Sequence, residues 1–201
     1  MKKKDMDYNE VLDYLEKTLL DEKLLSRRYA GAEIPNYICS YHLEENESYN
    51  KMAKTLVKRL EKNNKHVLLI NVYDVMLSML EKSGDLEDYL SEPSLTHKEI
   101  MEDFKGILDN DTEFTPEVAR IINDESPELV LINGVGEAWP FIRIHGLLEI
   151  LPNFLKRIVP IVIFYPGKYD RETGSSALQL FERLPHMNYY RAFNIFTEVR
   201  Q

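Results

Sequence analysis

Seven consecutive residues, HVLLINV from His66 to Val72, are apolar at nearly every position. A strand with one wet face alternates apolar and polar residues, whereas a strand covered on both faces does not, and the second condition belongs to parallel sheets with helices on either side. Three more short runs surround this one. They are Tyr37 to Tyr41, Leu129 to Ile132 and Val159 to Tyr165. Between the runs, apolar residues recur at helical spacing, as in Tyr49, Met52, Ala53, Leu56, Val57 and Leu60. The pattern predicts an α/β fold: a mostly parallel central sheet of at least four strands flanked by helices, resembling a degenerate nucleotide fold.

The remaining segments are placed by caps and breakers. Tyr8, Val11, Leu12, Leu15 and Leu19 form one face of an amino-terminal helix that continues toward Arg28 and ends by Gly31 and Pro35. Asp74 is expected to cap a helix from Val75 to Lys82, with Gly84 just past its end. Thr96 and Glu99 form a capping-box pattern, and Thr115 with Pro116 starts a further short helix. Another helix is expected from about Phe141 to Leu151. ALQLF can be a short helix or a strand, and YYRAFNIF reads as an edge strand. The organisation is a helical segment over residues 1–33 packed on one α/β domain over 34–201, with a helical insertion or crossover at about 85–127.

Charge and composition exclude several classes. Residues 1–155 carry a net charge of −12 and residues 156–201 a net of +3. A nucleic-acid binder displaces counterions with a broad basic face, so direct nucleic-acid binding is disfavoured, and only the basic tail retains a local chance. No apolar run reaches the ~18 residues of a membrane span, which predicts a cytoplasmic protein without a membrane segment. The single cysteine, Cys39, lies in the first strand, where a buried structural thiol is expected.

Catalytic motifs fail one by one. Gly134 and Gly136 follow the third strand, but a dinucleotide-binding turn places its third glycine where Trp139 stands. Gly167 and Lys168 are the only Gly-Lys pair, and Tyr169 occupies the place of the magnesium-binding hydroxyl of a P-loop. No cofactor is expected. Position still directs attention to one edge, because open α/β sheets bind ligands beyond the carboxyl ends of their strands. There the fold would gather His42, Asp74, Glu137 and Asp170, a set whose ligand types suit a divalent metal; solvated or capping roles compete with that reading. The same edge would carry Trp139, either a core plug or an interface anchor, together with Lys168, Tyr169 and Asp170 beyond a type II turn at Pro166 and Gly167. Arg143 and His145 lie two apart on the expected helix and so point in different directions. Tyr189, Tyr190 and Arg191 are residue types favoured at interaction hot spots.

Taken in order, PNYICSYHLEEN, HVLLINVYDVML, GVGEAWPFIRIHGLLEIL, FYPGKYD, LFERL and NYYRAF resemble the BrxB family of bacterial BREX (bacteriophage exclusion) systems. The similarity spans about Ile34 to Phe196. The resemblance implies a small component of an anti-phage system that works beside a large ATPase, a DNA adenine methyltransferase and a phosphatase-like PglZ protein. It implies no catalytic mechanism. The expected role is a non-enzymatic interaction or assembly module that docks a larger BREX protein, PglZ-like before the ATPase or methyltransferase. The alternative is a nucleotide-sensing or metal-dependent phosphoryl-transfer protein using the strand-end crevice.

Overall fold

The computed structural model describes residues 6–21, 36–84, 96–170, 177–184, 187–188 and 192–196, with Glu87, Tyr89, Ser91 and Ser94 between them. Helix α1 (Tyr8–Leu20) opens with a capping box: the Asp7 carboxylate accepts from the Asn9 and Glu10 backbone, and Glu10 reaches back to the Asp7 amide. It ends at Leu20, with Asp21 extended, and the continuation expected toward Arg28 lies outside the described residues. Strand β1 (Asn36–Tyr41) leads through a 3-10 turn (Leu43–Glu45) into α2 (Asn46–Lys62).

Strand β2 (Val67–Asn71) passes directly into α3 (Val72–Ser83). Here the expected cap is corrected. Asn71, not Asp74, caps the helix, its side-chain oxygen accepting from the Tyr73 and Asp74 amides. The helix therefore starts three residues early, and β-branched Val72, read as strand, is its first residue. The crossover continues through α4 (His97–Ile107), where both bonds of the Thr96 and Glu99 capping box form, and α5 (Thr115–Glu125), with Pro116 in its first turn. Strand β3 (Leu129–Asn133) follows, then α6 (Ile144–Ile150), then β4 (Ile161–Asp170), β5 (Ala177–Leu180), β6 (Met187–Asn188) and β7 (Ala192–Asn194).

The sheet runs β2-β3-β4-β1-β7, with every neighbouring pair in that row parallel. Its alternating residues divide between two cores. Tyr37 and Cys39 of β1, Leu129 and Leu131 of β3, and Val162 and Phe164 of β4 pack with α1 and α2. Ile38, Val130, Ile132, Ile161 and Ile163 pack on the other side with α3, α4, α5 and α6. This is the double cover that the apolar runs demand, and Cys39 is fully buried within it.

The segment FYPGKYD departs from the expected turn. β4 pairs with β1 as far as Pro166 and then, from Gly167 to Asp170, pairs antiparallel with β5. Pro166 lacks an amide hydrogen and sits where the strand changes partners. A Cβ on Gly167 would lie 2.1 Å from the Gln179 carbonyl oxygen, so close backbone approach rather than turn geometry requires the glycine. ALQL is accordingly a strand. AFN of the last motif forms the outer strand β7, whereas Tyr189, Tyr190 and Arg191 lie outside the described residues.

Two substitutions test these assignments. Leu131→Ala, in a strand with every residue buried, is expected to lower the free energy of unfolding by about 2–5 kcal/mol in urea titration. Gly134 has φ +77, and a Cβ there would lie 1.9 Å from the Asn71 oxygen that caps α3. Gly134→Ala should therefore strain the backbone and disturb the cap together, costing about 2–3 kcal/mol. A cost below that of Asn71→Ala would contradict the coupling.

Candidate interaction surface at the carboxyl edge of the sheet

The chain leaving β3 turns at once. After Gly134 it folds into a tight turn over residues 135–141, closed by the Ala138 amide on the Gly134 carbonyl and by the Phe141 and Ile142 amides on the Ala138 carbonyl. Three amides of the turn, those of Ala138, Phe141 and Ile142, are thereby spent internally. Phe141 lies in this turn, so α6 begins three residues later than expected, after Arg143. Gly136 sits under Phe181 and Pro166, 3.1 Å and 3.2 Å from where its Cβ would be.

A chain of neutral polar groups rises from the core to the surface beside the turn. The buried Tyr41 hydroxyl donates to the Asn46 side-chain oxygen at 2.8 Å, and the Asn46 amide donates to Glu137 Oε1 at 2.8 Å. From the other side, the amide of Asn133, 1 % exposed, donates to the Asn50 oxygen at 2.9 Å, and the Asn50 amide donates to the same Oε1 at 2.9 Å. Burial, and then the nearby Glu137 charge, push the Tyr41 phenol up, so it stays protonated as the donor. Glu137 itself is exposed. Asn133 Oδ1 is buried and takes no hydrogen bond from a described residue, and Asn133 lines an open groove of about 380 Å³ together with Lys54, Asn71 and Asp74.

Next to this chain stands an aromatic pair. Trp139 is 42 % exposed and packs edge-on against Phe181, with centroids 6.0 Å apart. Phe181 and Glu182 have φ of +56° and +57°, and the Arg183 amide bonds the Leu180 carbonyl across them, as in a type I′ turn. Such positions favour Asn and Gly; each larger L residue costs ~1–2 kcal/mol. Contacts of the two side chains offset this. Phe181 covers Trp139 and Gly136, while the Glu182 carboxylate bonds Lys168 at 2.9 Å and His42. Lys168, and then His42, hold the Glu182 carboxyl below the usual carboxylate range.

The residues expected from sequence are thus distributed unevenly. Trp139 and Lys168 are at this edge and exposed. Tyr169 is not on the surface: it is 6 % exposed, and its hydroxyl donates to the Ala192 carbonyl. Arg143 is exposed ahead of α6, and His145 is half-buried, its imidazole held below its ordinary value by burial and by the Arg143 charge. Of the possible metal set, His42 is engaged by Glu182, Glu137 by two asparagines, and Asp74 sits in the first turn of α3; the Asp170 side chain lies outside the described residues. Among the described residues no three His, Cys, Asp or Glu side chains come together as a metal site. Nor is any helix among them long and apolar enough to cross a membrane. Sequence reasoning missed Asn46, Asn50, Asn133, Phe181 and Glu182. The one available signal was Asn46 and Asn50 at i,i+4 in a helix that starts directly beyond the first strand.

Comparison with known proteins follows the same segments. The family model described as "BREX protein BrxB" matches residues 68–195. A protein named BREX protein BrxB from Escherichia coli O9:H4 (strain HS) is 26 % identical over 192 residues, covering 92 % of this chain and 89 % of the relative. Another of that name from Bacillus cereus (strain H3081.97) is 28 % identical over 190 residues, covering 93 % of this chain and 96 % of the relative. No solved structure matches. A family model covering well over half of the chain, with two full-length relatives of the same name, shows that this protein belongs to the BrxB family.

Proposed function

We propose that this BREX component is a non-enzymatic docking module that holds a larger BREX protein, PglZ-like, against the carboxyl edge of its sheet. The observation that carries the reading is Trp139, exposed on a rigid turn and backed by Phe181 across a strained connection. Large aromatic residues held rigidly at a surface are what interaction hot spots are made of, since they bury area on binding without much loss of side-chain freedom. The polar network of the same edge supports the reading, because its hydrogen bonds run from the core to Glu137, two residues from Trp139, and hold that surface in place. The chain acts inside the cell on this reading, as one domain over 34–201 with the amino-terminal helical segment packed on it.

The test is retention of each BREX component of the same system, expressed separately, on the purified chain. Trp139→Ala is expected to weaken the interaction by about 2 kcal/mol, roughly 30-fold in Kd, in a chain that still folds cooperatively. Retention of none of the components by the wild-type chain would contradict the proposal, as would wild-type affinity in the variant.

A further inference from the structure

We infer that the docked partner presents a basic segment, an arginine side chain of which is received by Glu137 while a neighbouring apolar side chain seats on Trp139. The inference rests on the docking reading above and gives that reading a partner chemistry. Its basis is the way Glu137 is held. Both asparagine amides donate to one oxygen, Oε1, and the second carboxylate oxygen takes no hydrogen bond from a described residue. Each asparagine is fixed at its other end too, Asn46 by the Tyr41 hydroxyl and Asn50 by the Asn133 amide. Flipping either amide would set its oxygen against the Glu137 carboxylate, so each asparagine has one orientation here. A solvated surface glutamate needs no such support, whereas a binding group benefits from having its orientation fixed before the partner arrives.

The charge around Glu137 agrees with that role. The groups that hold Glu137 are neutral, and no Lys, Arg or His among the described residues pairs with it, whereas nearby Glu182 has both Lys168 and His42. An oriented, uncompensated carboxylate two residues from an exposed indole fits a guanidinium, which bonds carboxylates directionally and tolerates aromatic neighbours. The net charge of −12 over residues 1–155 steers a basic segment toward this body and repels phosphate backbones.

The experiment measures Kd of the full chain for each BREX component across a salt series, with Glu137→Gln, Trp139→Ala and, as a control, Glu81→Gln, which removes an exposed carboxylate from α3. Glu137→Gln is expected to weaken binding about tenfold or more at low salt and to flatten the salt dependence, with an unchanged melting temperature. Trp139→Ala should weaken binding at every salt concentration with the slope retained, and the control should match wild type. A Glu137→Gln variant with wild-type affinity and slope overturns the arginine site while leaving the docking reading intact. An equal effect of Glu81→Gln overturns it as well, by showing that only overall charge matters. If the wild-type chain binds none of the components, the docking reading falls and this inference falls with it.

Discussion

Burial of both faces of one parallel sheet is the constraint from which the rest of the molecule follows. In β1, β3 and β4 consecutive side chains enter opposite cores, so neither helical layer is dispensable to the other. Loss of one layer would expose half of each central strand to water, at ~25 cal/mol for each Å² uncovered. Because all five strands of the main row run the same way, their carboxyl ends emerge together. The edge so formed is held by the buried central strands.

On that edge one polar network links the core to the surface. Here Tyr41, Asn46, Asn50 and Asn133 direct their hydrogen bonds into one another and into a single oxygen of Glu137. The strain in the Phe181–Glu182 turn is borne at the same place, against Trp139. Strained backbone clusters where function over-determines conformation, and two successive left-handed residues beside an exposed aromatic fit that pattern. Both features sit at the surface assigned to docking.

The strands were legible because uninterrupted apolar runs leave a chain little choice, and the capping box at Thr96 because its chemistry is local. Asn71 was not, since Val72 continues the apolar run and a strand residue acting as the next helix's cap leaves no break to read. Pro166 and Gly167 misled for the opposite reason: their local preference is for a turn, and pairing with β5 overrides it. Tyr169 was placed at the surface as a consequence. The Glu137 network lay beyond sequence reasoning because its partners are separated by 87 and 91 residues and meet only once the strand order is known. The exposed edge position of Trp139 and Lys168 was legible because position after a strand is enough to place them.

Hydrogen–deuterium exchange of the chain alone and in complex with its retained BREX partner tests the central claim most directly, since it reads where the partner sits without altering a residue. The account predicts slowed exchange in the turn from Gly134 to Phe141 and in the connection from Leu180 to Arg183, with α3, α4 and α5 unchanged. Slowed exchange confined to those three helices, with the carboxyl edge as fast as in the free chain, would contradict it.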